Sequence, residues 1–261
     1  MRTPTKKISL FCQFVALTLI AAVAATYGQN TDNKKKVSAT NERPIPVVDF
    51  VARENNSLSP QRRLRNRRHD LKDSRVDPSP FVFKESDPEE LHELTPSHTP
   101  VQLALPVLES EAVVIGEVVG AEAYLSNDRT SVYSEFTLQL SDLLKNTSKQ
   151  DITIGSLLTA ERTGGGVRFE SGKVLRRGRL HETLPVVGRR YLLFLKRHDE
   201  AGGFSIITGY ELRDGRVYPL DGVNVPDGGS KLPQFVAFEG VRDAEFLNEI
   251  RVALTNPAAK E

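Results

Sequence analysis

Thiols are nearly missing from this chain: Cys12 is the one cysteine in 261 residues. It lies inside an apolar run, preceded by Ser9-Leu10-Phe11, a position unsuited to a lipid-modified cysteine. A mature chain cut after that run holds no thiol, which excludes cysteine nucleophiles, cysteine zinc sites and disulfide staples and fits an oxidising compartment. An excess of charge is missing too. Lys and Arg number 35 against 34 Asp and Glu, a formal net charge of +1, so no overall field makes nucleic acid or an acidic polymer an obligatory partner.

Catalytic signatures are equally sparse. The five histidines, His69, His92, His98, His181 and His198, include no pair with the spacing of a zinc-binding helix. Three of them fall in a stretch too poor in apolar residues to hold a catalytic geometry. His181-Glu182 is the one acid–imidazole pair in the C-terminal half, and neighbours on an extended strand point to opposite faces. Gly166 and Gly172-Lys173 do not make a phosphate loop, because the spacing is wrong and Val174 stands where a hydroxyl must hold magnesium. No Gly-x-Ser-x-Gly elbow and no dense acidic calcium loop occurs. The sequence thus offers no catalytic residue, no metal-ligand set and no cofactor motif.

What is present begins with an export-type start. Arg2, Lys6 and Lys7 precede an apolar run from Ile8 to Ala25 that ends in small residues, with Ala22-Val23-Ala24 as a cleavage site. Residues 1–25 are expected to be a signal peptide, the alternative being an uncleaved membrane anchor.

Residues 26–105 are thin in apolar side chains and rich in proline, a composition that cannot offset its ordering entropy, and a largely disordered arm is expected. Charge is segregated within it. Arg62, Arg63, Arg65, Arg67, Arg68, Lys72 and Arg75 form a basic block, and Glu85, Asp87, Glu89, Glu90 and Glu93 an acidic one. Ser86-Asp87-Pro88-Glu89 carries a helix-start signature, which predicts a short helix near 87–95 ended before Pro96.

From residue 106 to 255 the pattern changes to short β-type runs between turn residues, as in a sandwich or barrel; 256–261 is a tail. Val113 to Val119 reads as a first strand with Gly116 and Gly120 as bends. In Val132 to Leu140 one face is apolar and the other mostly polar, the alternation of a half-solvated antiparallel strand. A third strand starts at Ile152, Val167 to Phe169 returns from it, and Val174 to Arg179 is an edge strand or a loop. Tyr191-Leu192-Leu193-Phe194-Leu195 is apolar on both faces and should be the most buried strand. Phe204–Leu212 and Arg216–Leu220 flank Asp214-Gly215, a favoured hairpin turn. Phe235 to Phe238 reads as a short extended piece. Asp243 is expected to cap a helix whose Phe246, Leu247, Ile250 and Leu254 share one face.

The order of Val113–Gly120, Tyr133–Asn146, Gly164–Gly166, Pro185–Leu195 and the hairpin with Gly209 resembles exported bacterial proteins with an OB-like barrel. More distantly it resembles the netrin and metalloproteinase-inhibitor modules. The resemblance spans roughly 110–222 and implies a mainly β chain: a small OB-like antiparallel barrel with a C-terminal helix, preceded by the disordered arm. The inhibitors act through an N-terminal cysteine and disulfides, which this chain lacks, so their mechanism does not carry over.

Two basic clusters remain as binding candidates. Lys173, Arg176, Arg177 and Arg179 lie in the long connection after the glycines, where such barrels place ligand-binding loops, and guanidinium forks suit carboxylate or phosphate. Ordinary solvated positions, or pairing with Glu170 and Glu182, is the alternative. Arg62, Arg63, Arg65, Arg67 and Arg68 form an electrostatic arm suited to an anionic lipid, an envelope polymer or an acidic partner, or else pair with the acidic block. No aromatic residue interleaves with them, which counts against single-stranded nucleic acid. Asn55-Asn56-Ser57 and Asn146-Thr147-Ser148 match the glycosylation tripeptide, which has meaning only in a eukaryotic secretory pathway.

The expectation is a periplasmic or secreted, non-enzymatic envelope binding or interaction module. Its partner is an unknown protein or an anionic envelope polymer, and the membrane is engaged only through an uncleaved signal or the basic arm. The alternatives are a hydrolase of an extracellular or cell-wall polymer using His181 or a glutamate, and, last, a nucleic-acid-binding barrel.

Overall fold

The computed structural model describes residues 44–50, 58–70, 90–95, 103–198, 202–223 and 230–256. The expected signal peptide and the tail beyond residue 256 lie outside them. The elements in chain order are β1 (Val47–Asp49), α1 (Pro60–Arg67), β2 (Glu90–Thr95), β3 (Ala112–Leu125), β4 (Val132–Asn146), β5 (Leu157–Thr163) and β6 (Gly165–Arg168). They continue with β7 (Val174–Arg179), β8 (Arg190–Arg197), β9 (Phe204–Arg213), β10 (Arg216–Pro219), α2 (Pro233–Val236) and α3 (Asp243–Thr255). Among the described residues no helix is long and apolar enough to cross a membrane.

Five strands close a ring. β3 pairs antiparallel with β4, β4 with β5, β8 with β9 and β8 with β3, while β5 pairs parallel with β9. Numbered within the ring, the order is 1-2-3-5-4-1 with strands 3 and 5 parallel, the connectivity of an OB-type barrel. The fold is mainly β, as the sequence pattern and the resemblance imply. Closure requires β3 to bend. Its register with β4 shifts at Ile115/Gly116 and Val118/Gly120, where the two glycines were expected to act as bends. A β-carbon on Gly116 would sit 2.8 Å from the Gln139 carbonyl oxygen, so the close strand approach there admits no side chain.

The core explains the two-sided apolar run of β8. Tyr191, Leu193 and Leu195 point into the barrel with Val114, Phe136, Leu138, Leu158 and Phe204. Leu192 and Phe194 point outward into a second core formed with Tyr210, Val217, Phe235, Phe246 and Ile250. α3 closes that outer core with Phe246 and Ile250 fully buried, each side chain stabilising the fold by roughly 1.5–3 kcal/mol. The β9–β10 hairpin turns at Asp214 (φ 53°) and Gly215 (φ 69°), both left-handed as a type I′ turn demands.

A second, four-stranded sheet has the order β1-β6-β7-β2. Val174–Arg179, open between edge strand and loop on sequence, is the interior strand β7 of this sheet.

Several local expectations are corrected. The helix near 87–95 is instead strand β2 over Glu90–Thr95, paired parallel with all of β7. The open edge of β7 gives the backbone a full set of partners, and tertiary pairing overrides a weak helix-start signal whose residues Ser86–Glu89 lie outside the described set. β5 starts at Leu157 rather than Ile152, which is buried in the preceding loop. The extended piece at 235–238 is helix α2 and the turn after it. Asp243 is the first residue of α3, one past the cap position of Arg242, and its Oδ1 accepts from the Ala244 amide at 2.7 Å. Within 26–105, residues 47–49, 60–67 and 90–95 form ordered elements on the barrel and second sheet. Among the described residues they build no separate core.

Candidate functional site

The polar face of β4 is where the structure departs most from a half-solvated strand. Tyr133 and Glu135, on the face opposite Phe136 and Leu138, are buried. Helix α1 covers them. Ser59 caps it by accepting from the Arg62 amide at 3.2 Å, and Pro60 occupies the first turn. An eight-residue helix is marginal alone, so its contacts with the barrel decide whether it forms.

Those contacts are mainly cationic. Arg62, Arg65 and Arg68 recur every three residues, a spacing that sets them on neighbouring turns of one side. The Arg62 guanidinium donates to both Glu135 oxygens, Nη1 to Oε1 at 2.5 Å and Nη2 to Oε2 at 3.0 Å, and to the Tyr133 hydroxyl at 3.1 Å. It also lies over the Tyr124 ring at 3.6 Å. Arg65 reaches both Glu135 oxygens at 3.3 Å. Arg68 Nη2 donates to Glu161 Oε2 at 2.7 Å, and His69 Nε2 meets Glu161 Oε1 at 3.1 Å while its ring stacks on Tyr133 at 4.0 Å. The Tyr133 hydroxyl donates to Asn66 Oδ1 at 2.7 Å.

Burial pulls the Arg62 pKa down, but its bonds to Glu135 and Tyr133 outweigh this and raise it. Burial pushes the Glu161 carboxyl up, yet His69 and Arg68 hold it below its ordinary range. Tyr124 is pushed up to about 12 by burial and by its bond to Glu122.

Beside α1 opens a cavity of about 270 Å³. Its walls include Arg68 and His69 after α1, Glu161 and Arg162 on β5, Arg179 at the end of β7, and His198. It thus lies beside ring strand 3 and the loop joining ring strands 4 and 5, surfaces with which OB barrels bind ligands. Arg68 Nε and Nη1 and Arg162 Nε are buried without a hydrogen-bond partner among the described residues. Beneath the cavity Arg162 donates to Asp221 Oδ2 at 2.7 Å and to the Thr183 carbonyl at 2.9 Å, and Asp221 accepts from Thr208 at 2.7 Å. The Arg162 and Asp221 side chains are 2% and 0% exposed.

His198 Nε2 contacts Ser205 Oγ and stands 3.4 Å from Glu161 Oε1. Burial, and then Arg68, lower its pKa. The carboxylate and the hydroxyl meet the same ring nitrogen. A Ser–His–acid relay needs them on opposite nitrogens. No group of three metal-ligating side chains occurs among the described residues.

The four candidates in the connection separate. Arg177 is buried and structural: Nε and Nη2 donate to Glu93 Oε2 at 2.9 and 2.6 Å, and Nη1 donates to the Thr130 carbonyl. Lys173, in the β6–β7 turn, and Arg176, on β7, are half-buried and away from the cavity walls. Arg179 alone reaches the cavity, 3.8 Å from Glu182. His181 lies outside the cavity wall with a left-handed backbone (φ 65°), and Glu182 turns to Arg162 and Arg179 instead.

In the basic block Arg62, Arg65 and Arg68 face the barrel, while Arg63 and Arg67 are exposed. Among the described residues its ion pairs are with Glu135 and Glu161, and Glu93 of the acidic block pairs with Arg177. Sequence reasoning missed His69, Glu135, Glu161, His198 and Ser205. Available signals were the Ser59-Pro60 cap and the three-residue arginine spacing.

Compared with protein-family models and with curated proteins, the chain finds no match.

Proposed function

We propose that the chain is an exported, non-enzymatic binding module whose cavity takes the oxyanion of a ligand, a carboxylate or a phosphate. One observation carries this reading: the buried Arg68 Nε and Nη1 groups border the cavity without a hydrogen-bond partner among the described residues, beside Arg162, whose Nε has Glu182 at 3.6 Å, and such donors favour a charged acceptor. Arg179 at the cavity wall adds a half-exposed fork. The test is a calorimetric titration of the full chain with inorganic phosphate and with acetate, repeated on Arg179→Ala. Saturable binding weakened in the variant supports the reading. No heat with either anion overturns it.

A hydrolytic reading rests on the contact between His198 and Ser205. It requires Ser205 to react with an active-site-directed phosphonate and His198→Gln to abolish that labelling. The placement of Glu161 on the same nitrogen as Ser205 makes it the weaker of the two.

A further inference from the structure

Three carboxylates form a row across neighbouring strands. Glu122 is paired with Glu135 in the β3–β4 register, and Glu135 with Glu161 in the β4–β5 register. Like charges placed opposite each other on a sheet repel, and burial intensifies the repulsion. Yet Glu135 and Glu161 keep only 9% and 5% of their side-chain surface. Tyr124 and Tyr133 are paired alongside in the same register. Such a row is unfavourable unless cations cover it, and α1 supplies them.

We infer that this acid and tyrosine row is a receptor site for an arginine-rich helical segment, which residues 58–70 occupy in cis and which a segment of the same spacing from another protein chain can occupy in trans. The occupant's chemistry is read from the contact. Arg62 uses a planar fork on one carboxylate and a cation–π face on Tyr124 at once, a combination an ammonium group cannot reproduce. The required pattern is arginine at three-residue intervals followed by a ring that stacks on Tyr133.

Polar character makes the contact exchangeable. Asn66 is the one buried residue of α1, and Leu64 is 38% exposed rather than buried against the barrel. The helix is held by charge, hydrogen bonds and ring stacking, without a shared apolar core. Its attachment on both sides to strands of the same sheet keeps it at high effective concentration, so the cis segment prevails until its cations are removed.

The test uses the full chain carrying Arg62→Gln, Arg65→Gln and Arg68→Gln, its fold verified by circular dichroism. A fluorescein-labelled peptide of residues 58–70 is titrated at low salt and followed by anisotropy. The peptide is expected to bind the variant and not the unaltered protein. Replacing its arginines by lysine should weaken binding about tenfold or more, since the fork and ring contacts are lost. Adding Glu135→Gln to the variant should weaken it comparably. No binding to a folded variant overturns the inference. Binding indifferent to both lysine replacement and Glu135→Gln also overturns it, as general charge attraction. If the triple variant does not fold, Arg62→Gln alone carries the same titration.

Discussion

Glu135 and Glu161 face each other across β4 and β5, two carboxylates on one barrel face that are each covered by arginines of one short helix. Removing Arg62 leaves the buried Glu135 charge with Arg65 alone, at 3.3 Å. Arg62→Ala is expected to lower unfolding free energy by about 1.5–3 kcal/mol, the range for hydrogen bonds to charged groups. Adding Glu135→Gln should restore part of the loss, because the buried charge goes too. Urea unfolding of both singles and the double variant measures this.

The pair beneath the cavity is buried more completely, and its loss should be larger. Asp221→Ala takes the 2.7 Å carboxylate from the buried Arg162 guanidinium, and about 3–5 kcal/mol is expected for breaking one partner from a buried pair. The midpoint of urea unfolding reports it. Arg68→Ala, at a less buried pair, should shift the midpoint less.

Acid should release stability in two steps. Glu161 has its pKa held below the ordinary glutamate value of 4.5, so its contribution is full above that value and is lost as pH falls through the lowered one. His198 is also lowered, from 6.5. In the window below 6.5 the unfolded chain binds the proton first, so stability again falls with falling pH. The groups acting on it are Arg68, His69 and Lys196, which disfavour the imidazolium, and Glu161, which favours it. Unfolding measured from pH 7.5 to 3.5 should show a shallow decline below 6.5, removed by His198→Gln. A steeper decline below 4.5 should be flattened by Glu161→Gln.

The outer core predicts a conventional loss. Phe246→Ala removes a fully buried ring from the stack with Tyr210 and Phe238, whose centroids lie 4.5 and 5.4 Å away. About 3–5 kcal/mol is expected, with α3 proteolysed before the barrel.

The barrel was legible in sequence where the signal is local. The two-sided apolar run of β8 and the Asp214-Gly215 turn needed no knowledge of distant partners. Glycines 116 and 120 marked the bends because a strand that must approach its neighbour closely favours their lack of a side chain. α1 and β2 were not legible, because each owes its form to groups far along the chain. The polar side of β4 looked solvated, since alternation shows that Tyr133 and Glu135 share a face but not what lies over it. The arginines looked like a solvated arm for the same reason. Their carboxylates are seventy or more residues away, and single-sequence patterning carries no record of that pairing.

Hydrogen exchange at the α1 amides tests the central relationship most directly. In the unaltered full chain, amides from Arg63 to His69 should be protected. In Glu135→Gln/Glu161→Gln that protection should vanish while β8 and β9 keep theirs. Unprotected α1 amides in the unaltered chain, or protection that survives in the double variant, would contradict docking of the helix on the acidic row.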